Sequence, residues 1–368
     1  MRKSALFWLG LVVTILVALG LVVLASASGA NGVRLGGDTY FFIKRQFGYL
    51  VAGLIVVTLV ARFDYRNWRD SEWLTWLFYG VTIILLVAVL FEPKVKGSHR
   101  WLSFGPVGMQ PGEVAKLAVV MTLAYWLDKS GFRVDLIKRG LLASAVLIAI
   151  PVGLVLGEPD FGSAMVISMA GGLLMFVAGV NLWGLLTCGV IGGSIGLALV
   201  LTNANRVARL FDKSKQYQVD MALAAIGNSK IWGAGLGESM QKHLYLPEAH
   251  TDFVFAIGAE EFGIQFSICV VLLFLAFFLL SVHIAKHAAD RFGRFLVVGM
   301  AFLISFQAIF SICVVCKAMV TKGIALPFFS FGGTNYVCSF FAVGIILSVG
   351  IHSCREKEHA LMRKVFLK

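Results

Sequence analysis

The sequence predicts an all-α polytopic membrane protein of about ten transmembrane helices, with one large extracytoplasmic loop between the seventh and eighth. Three observations carry this. Of 368 residues, 59% are hydrophobic and only 14% charged, where a soluble domain runs near a quarter charged. The mean hydropathy is +0.86. The apolar residues also fall into stretches of the length a helix needs to cross the hydrocarbon core, at 6–26, 46–61, 73–91, 114–127, 141–156, 164–180, 183–201, 253–282, 295–315 and 336–351.

Each element follows from its flanks. The first stretch lies behind Arg2 and Lys3 like a signal peptide, but its length and the nine stretches after it make it a retained anchor. Lys and Arg then set orientation, because they resist translocation. With the N-terminus inside, the inner segments collect Arg62, Arg66, Arg69, Lys129, Arg133, Lys138, Arg139, Lys286, Arg291 and Arg294, and the tail at 352–368 adds more. Short outer loops hold fewer, so both termini are expected in the cytoplasm. The long outer loop, 202–251, escapes the rule by its length. The chain therefore reads as a single membrane domain, 1–368. Its net charge of +12 reflects topology and anionic lipid, not nucleic acid. With 7 prolines and no low-complexity tract or repeat, disorder and solenoids are excluded. The six cysteines lie mostly in apolar runs, and the lone CxxC at Cys313 and Cys316 has no second pair to make a metal site.

Four outer loops are dense in glycine, proline and titratable groups. In the first, Pro111 suits a helix start and Glu113 favours its positive end. Glu113 and Lys116 share a face, as a pair that either neutralises itself or lines a polar cavity. Asp160, after Glu158 and Pro159, reads chiefly as a cap for the sixth span. The long loop brings Arg206, Arg209 and Lys242, either a solvated basic loop or contacts for a diphosphate. Asp252 follows His250 and Thr251 at a helix start, where a carboxylate either caps the helix, acts as a general base or binds a cation. The eighth span is too long for the bilayer, so a break is expected near Gly258 or Gly263. Glu260 and Glu261 inside it either line a cavity or proton path or are hydrogen-bonded structural groups. Finally, the stretch from Lys322 through Pro327 and Ser330 to Gly333 cannot be helical. Such backbone survives at membrane depth only when buried in protein or facing water, so a re-entrant segment is expected, with Lys322 as an anion contact.

At these residues the sequence resembles the SEDS family (shape, elongation, division and sporulation proteins). The matching strings are GSHRW at 97–101, QPGEVAK at 110–116, EPD at 158–160, Tyr217 with Gln218, GAGLG at 233–237, YLPEAHTDF at 245–253 and LPFFSFGG at 326–333. They recur in family order over essentially the whole chain, and Ala249 resembles the division member more than the elongation member. The resemblance implies a ten-span peptidoglycan glycosyltransferase that polymerises lipid II at the outer face of the bacterial cytoplasmic membrane, at the division septum. It places the catalytic aspartate at Asp252, which also becomes the expected metal ligand for a divalent cation, Mg2+ or Mn2+. The supporting Glu and Lys become Glu113 and Lys116, and the EPD aspartate becomes Asp160. Arg100, Arg206, Arg209, Lys242 and Lys322 become diphosphate candidates; His250, Thr251, Glu260, Glu261 and Ser330 become cavity candidates. Expected partners are lipid II, undecaprenyl-linked glycan, a class B penicillin-binding protein that acts as transpeptidase, and other division or elongation proteins. The sequence departs from the family at Met221, Ala222, Ser311, Val315 and Val320, which removes polar groups from the expected cavity region. A lipid II flippase and a non-catalytic division scaffold are the competing readings. Clustering of Glu113, Asp160 and Asp252 at outer span ends favours the polymerase, because alternating access needs a midplane site.

Overall fold

The computed structural model describes residues 2–93, 99–104, 107–131, 137–202, 213–227, 229, 231–239, 251–319 and 323–366. In chain order the elements are α1 (Arg2–Gly36), α2 (Phe41–Arg62), the short α3 (Arg66–Asp70), α4 (Glu72–Val89), β1 (Leu102–Phe104), β2 (Val107–Met109) and α5 (Pro111–Ser130). A π-helical turn at Ile137–Leu142 feeds α6 (Ala143–Gly157), then come α7 (Phe161–Ala178), α8 (Leu182–Leu201), α9 (Lys213–Gly227), α10 (Val254–Phe262), α11 (Ile264–Lys286), α12 (Arg291–Val315) and α13 (Gly333–Phe366). Helices thus stand at all ten expected stretches, and eight of them are long and apolar enough to cross a membrane.

The other two stretches differ in their surroundings. α5 carries Glu113, Lys116, Asp128 and Lys129, yet it is buried along almost its whole length, packed by α4, α6, α7, α12 and α13. Surrounded by protein, Glu113 and Lys116 are not offered to lipid, while Lys129 at the far end is exposed and pairs with Glu72. α8 is the opposite case, an apolar helix of 20 residues with Trp183, Leu186, Val190, Ile191 and Ile195 exposed and, among the described residues, packed chiefly against α7 and the π turn.

Glycines set the closest helix approaches, as small residues do in bilayers. Gly53 on α2 lies against the Phe340 ring and Gly344 on α13 lies 2.8 Å, at its would-be Cβ, from Val60. At Gly299 a Cβ would stand 2.5 Å from Val120 and 3.2 Å from Leu174, which lets α12 settle against α5 and α7.

The eighth stretch splits into α10 and α11 at Gly263, whose φ of 81° and ψ of −174° suit glycine. Two elements had no sequence signal: the β1–β2 hairpin, with Leu102 opposite Met109, and α9 within the long loop. The expected tail, 352–368, continues α13 as helix to Phe366. At the end of the bundle away from β1–β2, Asp290 caps α12 by accepting from Gly293 N at 2.7 Å. It also accepts from the Tyr65 hydroxyl at 2.8 Å and faces Arg66 and Arg69 at 3.6 and 3.7 Å. Arg66 in turn pairs with Glu356, so α3, α12 and α13 are joined by one charge network.

Candidate active site

Before α13, residues 323–332 are non-helical and largely buried, as expected for a re-entrant stretch. Ile324, Leu326, Phe328, Phe329 and Ser330 are all inside the protein. Phe329 sits among the rings of Phe266 and Phe274 on α11. Phe328 adopts φ 66°, unusual for a side-chain-bearing residue, and its carbonyl packs directly onto Gly20 of α1, where a Cβ would collide with it. The chain is therefore wedged between α1 and α11.

Two segments converge on this wedge. Asp252 stands with its Oδ2 2.6 Å from where a Cβ would lie on Gly323. The next residue, Ile324, lies 2.9 Å from the would-be Cβ of Gly162 at the start of α7, which itself follows Asp160. Asp252 and the Asp160 turn thus flank consecutive residues of one loop. Ser330 fixes the backbone leading to Asp252: its Oγ accepts from Leu326 N at 2.8 Å and donates to Thr251 O at 2.6 Å. The N-cap position of α10 falls on Phe253, one residue after Asp252.

Asp160, by contrast, does cap its helix. It accepts from Ser163 N at 3.3 Å and from Ser163 Oγ at 2.8 Å, and Gln110 Nε2 donates to it at 3.2 Å. Arg100 Nη1 is 3.9 Å from its Oδ1, while Arg100 Nη2 donates to Pro159 O at 2.6 Å. On α5, which Pro111 starts at its first position, Glu113 pairs with Lys116 at 2.7 Å. Asn335 Nδ2 donates to the other Glu113 oxygen at 3.0 Å. Gln110 N donates to Thr334 Oγ1 at 3.1 Å, which ties α5 to the first turn of α13. Glu113 and Lys116 are both buried, so each holds the other's charge away from an apolar surrounding.

Glu158, just outside α6, is wholly buried, and among the described residues neither carboxyl oxygen has a hydrogen-bond donor. Burial first, and then the nearby Asp160, push its carboxyl up to about 8, with Arg100 opposing.

Glu260 and Glu261 are engaged in loop and helix contacts. Ser239 donates to Glu260, Ser26 of α1 donates to Glu261 at 2.5 Å, and their carbonyls accept from Ala234 N at 2.9 Å and Gly235 N at 3.0 Å. Gly233, at φ 76°, packs onto the Glu261 carbonyl so closely that any Cβ would clash. The GAGLG string therefore fastens the long loop to the α10–α11 break. Of the departures from the family pattern, Ala222 on α9 and Ser311 and Val315 on α12 are buried where those helices meet, and Met221 is partly so.

Arg206, Arg209, Lys242, His250 and Lys322 lie outside the described residues, as does Val320. Among the described residues no group of three or more His, Cys, Asp or Glu stands together. Sequence reasoning missed Gly323, Gln110, Ser163, Thr334 and Asn335. All five lie in or beside quoted strings, but a glycine needed for space and neutral side chains that orient carboxylates carry no pattern of their own.

The cell cycle protein family shared by FtsW, RodA and SpoVE matches residues 6–355. The probable peptidoglycan glycosyltransferase FtsW of Trichlorobacter lovleyi is 36% identical over 350 residues, 92% of this chain and 91% of that protein. The rod shape determining protein RodA of Thermus thermophilus superposes with a TM-score of 0.70 at 26% identity, covering 94% of this chain and 96% of that one. A chain from a study of polymerization and crosslinking by a peptidoglycan synthase complex superposes with a TM-score of 0.76 at 24% identity, covering 94% and 98%, a likeness of fold. With these matches running nearly end to end over a multi-pass helical bundle, the chain belongs to the FtsW/RodA/SpoVE family.

Proposed function

We propose that this membrane protein is a peptidoglycan glycosyltransferase that polymerises lipid II, with undecaprenyl diphosphate as leaving group. The observation that supports it most is the seating of Asp252 against Gly323, on a buried wedge held by Ser330 and flanked by the Asp160 turn. Asp252 is the general base. As the acceptor sugar's 4-hydroxyl oxygen bonds to the donor's anomeric carbon, its proton passes to the Asp252 carboxylate, and the anomeric C–O bond breaks with its electron pair leaving on the diphosphate. Glu113 and Asp160 are already committed to Lys116, Asn335, Ser163 and Gln110. With those two carboxylates engaged, the described residues favour a single inverting step over a double displacement. Arg100 opposes the diphosphate charge, with Arg206, Arg209, Lys242 and Lys322 as further contacts.

A divalent cation, Mg2+ or Mn2+, fits this donor set in one way. Mg2+ is usually held by one or two carboxylates plus substrate phosphates, so as the alternative to its role as base Asp252 would hold the cation, which would neutralise leaving-group charge. We further infer that both termini are cytoplasmic, that the site faces outward, that the chain acts at the septum with other division proteins, and that a class B penicillin-binding protein crosslinks its product.

The test is lipid II polymerisation by the purified protein in liposomes with a divalent cation, against Asp252→Asn. Glycan ladders from the parent and none from the variant are expected. Equal ladders would remove Asp252 from the mechanism. No ladders from either, with the transpeptidase also present, would favour a flippase or a scaffold.

A further inference from the structure

Glu158 is the buried titratable group that the mechanism leaves unused. Its side chain is completely enclosed, and among the described residues neither oxygen is hydrogen-bonded. An ionised carboxylate in that state would bear its full desolvation cost without return. Beside it is Arg100, whose Nε is likewise buried without an acceptor, while its Nη2 is clamped on Pro159 O at 2.6 Å. The guanidinium therefore sits on the 158–160 turn, and its nearest carboxylate, Asp160, is 3.9 Å away and already holds Ser163 and Gln110.

We propose that Glu158 is a positioning residue kept as a neutral acid, so that Arg100 retains its charge for a diphosphate rather than closing it in an internal ion pair. This rests on the reading of the site as one that takes lipid-linked diphosphates. The groups facing Glu158 bear it out. Among the described residues, Asp160 on its own turn repels a second negative charge and Arg100, from the loop after α4, is the cation acting on it. His99 beside Arg100 is tied by Nδ1 to Glu92 O, and α5 and α7 bring the neutral Gln110 and Ser163 to this turn. The carboxyl is held up to about 8 by burial and by Asp160. Below that pH it is neutral and Arg100 is available. Above it Glu158 ionises, pairs with Arg100 and competes with the substrate diphosphate.

The experiment is the KM for lipid II of the full-length protein in liposomes across the neutral to alkaline range, for the parent and for Glu158→Gln, which fixes the neutral form. A contact to a charged group of this kind corresponds to roughly tenfold or more, so the parent KM should rise about tenfold through pH 8 with kcat little changed. Glu158→Gln should hold the neutral-pH KM with no alkaline rise. An independent readout is the protonated-carboxyl band in difference infrared spectra at neutral pH, which should vanish in Glu158→Gln. A flat parent KM, a Glu158→Gln variant already impaired at neutral pH, or no such band would overturn the proposal. A parent that makes no glycan at any pH, yet shows the band, would instead count against the glycosyltransferase reading and leave the protonation state established.

Discussion

Substituting Gly323 by alanine acts on the contact that seats Asp252. The new Cβ would stand 2.6 Å from Asp252 Oδ2, whereas ordinary contact begins at 3.4 Å. The nearest atoms all belong to the Asp252 carboxylate, so it yields first, by about 0.8 Å. Because the atom met is the end of a side chain and not backbone, the fold should tolerate the change. A misplacement of about 1 Å in a catalytic group costs on the order of a hundredfold in rate, or about 2–3 kcal/mol in the barrier. The kcat for lipid II polymerisation in liposomes should therefore fall roughly 50- to 100-fold, with KM within a factor of about 3 and the thermal unfolding midpoint in detergent within a few degrees. An alanine variant with parental kcat would refute the argument that Gly323 seats Asp252. A large loss of thermal stability would show instead that the contact supports the fold.

Three further perturbations separate support from chemistry. Lys116→Met leaves Glu113 buried with Asn335 as its remaining partner. It should destabilise the protein by roughly 3–5 kcal/mol, much of it recovered by adding Glu113→Gln, as read by thermal unfolding of the single and double variants. Ser330→Ala removes a bond to Thr251 O and one from Leu326 N, each worth about 1 kcal/mol. Its kcat should drop about tenfold, and a variant with unchanged turnover would release Ser330 from any part in holding Asp252. Gly233→Ala forces a side chain into a left-handed backbone against the Glu261 carbonyl, so limited proteolysis should cut the 202–251 loop faster, with the membrane bundle intact.

Hydropathy made the spans legible because each must present an apolar surface to lipid, and the same logic exposed the re-entrant wedge, since Pro327, Gly332 and Gly333 forbid a helix there. The break at Gly263 followed from excess length. α5 shows where such reading thins out. Its charges would mark a poor span, and only the surrounding helices reveal that it is enclosed by protein. Glu260 and Glu261 were ambiguous for a related reason. Whether a carboxylate faces a cavity or a serine depends on what lies across from it, here Ser239 and Ser26, and no spacing along the chain encodes that. The β1–β2 hairpin is held by cross-strand pairs only three residues long, too short for an alternating pattern to stand out.

The wedge also acts as a ruler. Asp252 abuts residue 323 and the Asp160 turn abuts residue 324, so the spacing between the base and the anion-facing turn is set by a single peptide step of about 3.8 Å. Surface loops normally absorb insertions and deletions freely. Here a residue inserted between 323 and 324 would part the two contacts by more than any side-chain replacement could.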